Sequence, residues 1–307
     1  MINRLKDQIN EYFVGKEKVV ENVLICLLAG GHILIEDVPG VGKTTLARLL
    51  AKSLDMSFGR IQFTPDTLPG DVTGVSVYNA KTGDFEYREG AIMHHIILAD
   101  EINRTSPKTQ SALLEAMAEG SVTVDGKSYD LPDPFMVIAT QNPIEFIGTY
   151  PLPEASVDRF MMRLSIGYPG RDEEIKLARN FVNGKTSDDV KPVCSVEELK
   201  GLRNKVKDIT ISDNVISYVK EIIDSTRSES KFVIGASPRA LLSLIRASQA
   251  SAFINGREFV TPDDVKAVTV NVLHHRLTLT PESRIAGDNV DNIVTGLMLK
   301  AKIPTEK

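Results

Sequence analysis

The sequence predicts an α/β fold with a parallel sheet, followed by a helical region in the second half of the chain. An apolar strand at residues 33–35 leads into a glycine-rich loop and a helix that begins near Lys43. Further strand candidates alternate with helical patterns as far as Tyr168, whereas only helical patterns follow from Arg171 onward. We therefore expect an α/β core over residues 1–168 and a separate, all-helical subdomain over residues 171–307.

The composition is that of an ordinary globular protein, with 307 residues, 42% of them hydrophobic and 25% charged. The formal net charge of −5 gives no overall positive field that would attract nucleic acid, although a local basic groove is compatible with it. The two cysteines, Cys26 and Cys194, are too few for a disulfide framework, and no secretory signal pattern is present. We expect both cysteines to be reduced thiols in a cytoplasmic protein. No membrane span is expected, because the longest apolar run, 23–29, is far too short.

The segment before the first strand predicts two helices, at residues 1–13 and 17–29. Val14 and Gly15 interrupt the pattern between them, which fits a helix cap and a functional segment equally well. After the helix that begins at Lys43, a short strand is predicted at 60–64 and ends before a proline.

Two hairpins interrupt the alternation of strands and helices. Residues 71–90 contain two alternating segments around a turn-forming stretch, which predicts a hairpin inserted into the core. Residues 121–131 predict a second hairpin, because Asp125-Gly126 is a preferred two-residue turn of type I′. Each hairpin is either a structural addition or a contact for a partner.

Two further strands end in polar groups. The apolar strand at 96–99 is followed by Asp100 and Glu101, and the strand at 135–140 is followed closely by Asn142. A helix is predicted from Thr105 or Ser106 onward. In a parallel sheet the carboxyl ends of the strands meet at one edge, where ligands bind.

The glycine-rich loop predicts a site for a nucleoside triphosphate. Gly40 and Gly42 permit close approach of the backbone, Lys43 can reach the β- and γ-phosphates, and the Thr44 hydroxyl can hold Mg²⁺. The strict phosphate-loop pattern has glycine at the position of Asp37, so the sequence departs from it there.

Hydrolysis of a terminal phosphate requires positioning and neutralisation of charge. Asp100 suits a water-mediated contact to Mg²⁺, Glu101 could activate the attacking water, and Asn142 could fix that water by a hydrogen bond. Arg159 and Arg239 are ordinary surface arginines on their own, but an arginine from a neighbouring subunit can raise turnover by roughly 10³- to 10⁵-fold.

Together these segments resemble the MoxR family of AAA+ ATPases, and the resemblance covers essentially the whole chain. The most specific segment is Ala-Asp-Glu-Ile-Asn-Arg-Thr-Ser-Pro-Lys-Thr-Gln-Ser-Ala-Leu-Leu-Glu-Ala-Met at 99–117. Further matching segments are Arg-Ile-Gln-Phe-Thr-Pro-Asp at 60–66, Pro-Gly-Asp-Val-Thr-Gly at 69–74, Ala-Thr-Gln-Asn-Pro at 139–143, Leu-Pro-Glu-Ala at 152–155 and Asp-Arg-Phe at 158–160.

The resemblance assigns roles to individual residues. It implies Walker B at Asp100 and Glu101, sensor 1 at Asn142, the arginine finger at Arg159 and sensor 2 at Arg239, with the last acting in its own subunit or in the next one. The implied Walker A residues are Pro39, Gly40, Val41, Gly42, Lys43, Thr44 and Thr45. Val14 and Gly15 resemble the adenine-side segment, the hairpin at 71–90 the helix-2 insert, and the hairpin at 121–131 the one that precedes sensor 1.

The same resemblance implies a chaperone-like ATPase that uses ATP and Mg²⁺, forms a ring that is often hexameric, and matures or remodels a client protein. Such ATPases act in metal insertion or complex assembly with a von Willebrand factor A-domain partner, expected here as a separate chain. Two alternatives stay open: an ATPase of the same fold that remodels nucleic acid, and a nucleotide-gated scaffold that does not hydrolyse ATP. The excess of acidic side chains in the 71–90 hairpin disfavours the first, and the intact Glu101 disfavours the second.

Overall fold

A five-stranded sheet lies in the first part of the computed structural model, which describes residues 1–142 and 148–303 apart from the side chain of Asp188. The chain divides into two compact units. The first consists of Met1–Glu21, His32–Arg159 and Leu164–Lys200, and the second of Asn22–Gly31, Phe160–Arg163 and Gly201–Lys307. The sequence-based boundary near residue 170 remains a prediction, while these units group residues 164–200 with the first part of the chain.

The elements up to the last strand of the sheet follow in chain order. They are α1 (Ile2–Tyr12), α2 (Glu17–Leu28), β1 (Ile33–Glu36), α3 (Lys43–Ser53), β2 (Phe58–Gln62), α4 (Pro69–Thr73), β3 (Gly74–Asn79), β4 (Asp84–Glu89), β5 (Ile96–Asp100), α5 (Pro107–Glu119), β6 (Ser121–Val124), β7 (Lys127–Asp130), β8 (Met136–Gln141), α6 (Glu154–Val157) and β9 (Met162–Leu164).

The strand order of the sheet is β2-β5-β8-β1-β9, and the β2–β5, β5–β8 and β8–β1 pairs are parallel. The apolar residues of β1, β5 and β8 are buried on both faces, as is typical of a parallel sheet covered by helices. This arrangement confirms the predicted α/β core. It also brings the residues that follow β1, β5 and β8 to one edge of the sheet.

Both predicted hairpins are present, formed by the antiparallel pairs β3–β4 and β6–β7. Asp125 and Gly126 connect β6 to β7 with φ of 49° and 77°, and the positive φ at both positions agrees with the predicted type I′ turn. The rings of Tyr87 and Tyr129 stack with centroids 3.9 Å apart, so the two hairpins contact each other through an aromatic pair. Sequence alone gave no sign of this contact.

The elements from residue 171 onward are mainly helical, as predicted. They are α7 (Arg171–Val182), α8 (Val196–Lys207), α9 (Asp213–Ser228), β10 (Phe232–Ile234), α10 (Pro238–Ile254), α11 (Pro262–Leu273), β11 (Thr278–Leu279), α12 (Pro281–Ile285) and α13 (Val290–Lys300). Single turns of 3₁₀-helix occur at Ile102–Arg104, Ser187–Asp189 and His274–Arg276.

The prediction of an all-helical second part needs one correction, because β10 and β11 form a small antiparallel sheet. Strands of three and two residues are too short to show an alternating apolar pattern, so their sequence gave no strand signal. Within the second unit, α10 packs against α9 and α11. Among the described residues, no helix combines the length and the apolar character needed to cross a membrane.

Candidate active site

The loop between β1 and α3 has the conformation that its glycine pattern predicts. Gly40 and Gly42 have φ of 87° and 92°, in the left-handed region that glycine adopts without a steric penalty. Helix α3 begins at Lys43, directly after its N-cap Gly42. The N–H groups of a first helical turn have no partner inside the helix, so this end of α3 is suited to bind an anion.

A cavity of about 400 Å³ brings the predicted phosphate-binding and catalytic groups together. Its lining consists of Pro39, Gly40, Gly42, Lys43, Thr44, Arg60, Gln62, Asp100, Glu101 and Asn142. All of these except Arg60 and Gln62 were predicted as site residues from the sequence. Within the cavity, Lys43 Nζ donates to the carbonyl oxygen of Asp37 at 2.8 Å, which ties the lysine side chain to the loop.

Asp37, where the loop departs from the strict pattern, connects the loop to the segment after β9. One carboxylate oxygen, Oδ2, accepts hydrogen bonds from the backbone N–H groups of Ile166 at 2.6 Å and Gly167 at 2.7 Å, and from Ser165 Oγ at 3.1 Å. The other, Oδ1, accepts from the N–H of Val38 at 3.0 Å. Burial alone would raise the pKa of Asp37, but these hydrogen bonds outweigh it and the pKa is lowered.

We expect Asp37→Asn to destabilise the protein by about 1–3 kcal/mol at pH 7, because its amide nitrogen cannot accept the bonds that the carboxylate accepts. A lowered folded-state pKa stabilises the protein above the unfolded-state pKa of about 3.9, and this stabilisation is lost as the pH falls through the folded-state value. The difference between wild type and variant should therefore narrow below about pH 4. Urea unfolding at pH 7 and in acid checks this, with the exposed Asp7→Asn as control. An Asp37→Asn variant as stable as wild type at pH 7 would contradict the assignment.

Asp100 and Glu101 are linked through a residue that the sequence did not single out. Thr140 Oγ1 donates to Asp100 Oδ1 at 2.6 Å and accepts from the N–H of Glu101 at 2.9 Å. The parallel register pairs Ala99 with Ala139, so the next residue on each strand lies at the same height. A hydroxyl at the end of a buried apolar strand is the signal that could have indicated Thr140.

Strand β2 supplies two further partners for the acidic pair. Arg60 Nη2 donates to Asp100 Oδ2 at 2.7 Å and to Gln62 Oε1 at 2.6 Å. Gln62 Nε2 in turn donates to Glu101 Oε2 at 2.9 Å. Arg60 and Gln62 are two residues apart on a strand and so share one face, and this polar alternation is the signal that sequence reasoning missed.

Glu101 has a backbone conformation that is uncommon for residues other than glycine. Its φ of 57° lies in the left-handed region, directly after β5. Its Oε2 also lies 3.1 Å from Arg104 Nε. Such conformations occur preferentially at functional sites, where the surrounding structure holds them.

Asn142 lies directly after β8 and lines the same cavity, with 8% of its surface exposed. An amide group that directly follows β8, the strand that pairs with the Asp100 strand β5, therefore lines the cavity. Pro143, which completes the matching Ala-Thr-Gln-Asn-Pro segment, lies outside the described residues.

The remaining predicted Walker A residues lie around this cavity rather than in its lining. Val41 is buried, and Thr45 lines a second cavity of about 590 Å³. The second cavity also contains the following residues: Tyr12, Glu174, Leu177, Ala178, Asn180, Phe181, Lys185 and Ser187. Val14 is buried and Gly15 has a φ of 74°, so a glycine fits the backbone at that position, but neither is in the described lining of the two cavities.

The two predicted arginines lie in different units. Arg159 follows α6, is half-buried, and its N–H donates to the carbonyl oxygen of Ser156 at 3.2 Å. Arg239 is exposed and is the second residue of α10 in the other unit. Neither Arg159 nor Arg239 is among the described residues that line the first cavity. Their roles as arginine finger and sensor 2 therefore remain predictions.

Two family models match parts of the chain. Residues 32–162 match the ATPase family associated with various cellular activities (AAA), and residues 224–296 match the AAA lid domain. The first match contains the phosphate loop, the Asp100–Glu101 pair and Asn142. The second match begins within α9 and ends within α13.

Comparison with whole proteins identifies relatives along most of the chain. The chain is 48% identical to the uncharacterized protein YeaC of Bacillus subtilis, in an alignment that covers 100% of this chain and 96% of that protein. It is 39% identical to Chaperone MoxR1 of Mycobacterium tuberculosis, covering 89% of this chain and 74% of the relative. The crystal structure of a proposed ATPase from Cytophaga hutchinsonii matches with a TM-score of 0.92 at 39% identity, covering 99% of this chain and 95% of that one. The chain therefore belongs to the MoxR family of AAA+ ATPases.

Proposed function

We propose that the protein hydrolyses ATP and uses the reaction to remodel or mature a client protein in the cytoplasm. The observation that carries the proposal is the single cavity that contains Lys43, Thr44, Asp100, Glu101 and Asn142. Phosphate-binding backbone, a lysine, a hydroxyl, two carboxylates and an amide are the groups that phosphoryl transfer to water requires.

The donor set fits Mg²⁺, which prefers hard oxygen ligands and keeps part of its water shell. The Thr44 hydroxyl would hold the ion directly and Asp100 would hold it through water, since both line the cavity. When bound, the ion neutralises charge on the β- and γ-phosphates. Thr140 orients the Asp100 carboxylate for this contact by donating to Oδ1.

In the proposed reaction, a water oxygen attacks the γ-phosphorus and the bond from the γ-phosphorus to the β,γ-bridging oxygen breaks. The products are ADP and inorganic phosphate. Glu101 accepts a proton from the attacking water, and Asn142 donates a hydrogen bond that holds this water in line. Lys43 and the N–H groups at the start of α3 stabilise the phosphate oxygens.

The second cavity is the proposed site of the base. It adjoins the first turn of α3 at Thr45 and offers the apolar and aromatic side chains of Tyr12, Leu177 and Phe181. Such side chains suit the flat face of adenine. Val14 and Gly15 follow Tyr12 closely in the chain, which supports their proposed place beside the base.

The proposed assembly is a ring, hexameric as in many AAA+ proteins, in which Arg159 of one subunit completes the site of its neighbour. An arginine supplied in this way stabilises the charge that develops during phosphoryl transfer. Arg239 would contact the nucleotide of its own subunit or of the next one.

The hairpins β3–β4 and β6–β7 are the proposed contacts for the client. The rings of Tyr78 and Phe85 lie 5.5 Å apart and are 56% and 70% exposed, so the first hairpin presents an apolar pair to solvent. A von Willebrand factor A-domain protein is the proposed partner, acting as a separate chain, and metal insertion or complex assembly is the proposed outcome. The acidic side chains around this pair, Asp84 and Glu86 among them, do not suit the phosphate backbone of a nucleic acid.

We expect ATP turnover per subunit to rise with protein concentration, since assembly completes each site. Glu101→Gln and Arg159→Ala should each be inactive, whereas an equal mixture should recover about a quarter of the wild-type rate. Random mixing joins an intact Glu101 to an intact Arg159 at about one junction in four. Steady-state phosphate release over a concentration series measures all three samples.

Each variant assayed alone at the same total protein concentration is the control, and it should stay inactive. An Arg159→Ala protein that remains active at every concentration would contradict the assignment of the finger. Stimulation of the wild type by single-stranded DNA would favour the nucleic-acid alternative.

A further inference from the structure

Arg60 introduces a positive charge into the cavity beside the proposed metal-binding carboxylate. Its Nη2 lies 2.7 Å from Asp100 Oδ2, and the two side chains are 46% and 15% exposed. The same cavity is lined by Thr44, the other proposed ligand of Mg²⁺. The ion pair therefore lies where a hydrated divalent cation would approach.

The surroundings hold both oxygens of Asp100 in defined contacts. Oδ1 accepts from the Thr140 hydroxyl at 2.6 Å, and Oδ2 accepts from Arg60 Nη2 at 2.7 Å. A hydrated cation that approaches Oδ2 therefore meets the Arg60 guanidinium there. Gln62 accepts from the same nitrogen of Arg60 at 2.6 Å, which fixes the guanidinium in this position. Charge-assisted hydrogen bonds of this kind are short and stronger than neutral ones.

A guanidinium and a hydrated divalent cation at one carboxylate oxygen repel each other. The Arg60 side chain is nearly half exposed, so its guanidinium can move away from Oδ2 and be hydrated by solvent. Breaking the Arg60–Asp100 ion pair costs free energy, and this cost makes metal binding correspondingly weaker.

We propose that Arg60 is a positioning residue that competes with Mg²⁺ for Asp100 and thereby sets the Mg²⁺ concentration at which nucleotide binds. This inference rests on the proposed function, because it requires that Asp100 and Thr44 hold the metal of a Mg²⁺–nucleotide complex. It assigns a role to a residue of β2 that lies outside the Walker segments.

The test is a Mg²⁺ titration of the full-length protein with a fluorescent ADP analogue, which measures binding and not turnover. Arg60→Gln should lower the Mg²⁺ midpoint by about threefold to tenfold, because the competing charge is removed. Arg60→Lys keeps a positive charge and should stay closer to wild type. Arg4→Gln, which removes an exposed arginine from α1, is the matched control and should not shift the midpoint.

Affinity for the analogue in EDTA separates this role from direct phosphate binding. Arg60→Gln should change that affinity by about twofold at most, since no metal competes under those conditions. An unchanged or raised Mg²⁺ midpoint in Arg60→Gln would overturn the inference, as would a large loss of affinity in EDTA. If the wild type bound no analogue with Mg²⁺ present, the proposed function would fail too, whereas a normal wild-type titration confines the failure to Arg60.

Discussion

Replacing Lys43 by alanine is expected to weaken ATP binding by about 10- to 100-fold, the effect of losing charge-assisted bonds to phosphate. The lysine is the first residue of α3, and its amino group is already tied to the phosphate loop through the Asp37 carbonyl oxygen. The amino group is therefore already positioned at the loop that we propose binds the phosphates. Isothermal titration with ATP and Mg²⁺ measures the loss.

Lys52→Ala is the matched control, because it removes the same charge from the last turn of the same helix. The two lysines are nine residues apart, which corresponds to about 14 Å along a helix. The control should keep wild-type affinity. Equal losses in both variants would indicate that Lys43 contributes only to the overall charge of the helix.

Glu101→Gln is expected to lower ATP turnover by about 10²- to 10⁴-fold, the range that a general base contributes. Binding of ATP should persist, because glutamine keeps the shape of the side chain and an oxygen that can accept the bond from Gln62 Nε2. Turnover and equilibrium binding measured on one preparation separate these two effects.

Glu115→Gln provides the corresponding control on the exposed face of α5, and it should retain wild-type turnover. If Glu101→Gln lost binding and turnover together, Glu101 would be a structural support of the cavity. If it kept both, the base would be another group.

The parts of the fold that sequence predicts correctly depend on local patterns. The apolar strands β1, β5 and β8, the Asp125-Gly126 turn and the start of α5 after Ser106 are each determined by a few consecutive residues. Ser106 caps α5 by accepting a hydrogen bond from the N–H of Thr109, as its position before a proline suggests. Most of the cavity lining was predicted for the same reason, since each motif lies at the end of one such strand.

The contacts that sequence does not predict depend on residues far apart in the chain. Arg60 meets Asp100 only because β2 pairs with β5, and this pairing joins residues 40 positions apart. The hydrogen-bond donors to Asp37 Oδ2 lie 128 to 130 residues away in the chain, directly after β9. The same limit applies to the short β10–β11 pair, whose strands lack a pattern of their own.

The most direct test of the account is the chemical fate of ATP bound to the wild-type protein at a concentration where subunits assemble. ATP and Mg²⁺ are incubated with the protein, and the nucleotides and free phosphate are quantified over time. We predict one phosphate released for each ADP formed, with the rate of release lowered by about 10²- to 10⁴-fold in Glu101→Gln. Recovery of intact ATP from the assembled wild type would contradict hydrolysis and would favour a nucleotide-gated scaffold.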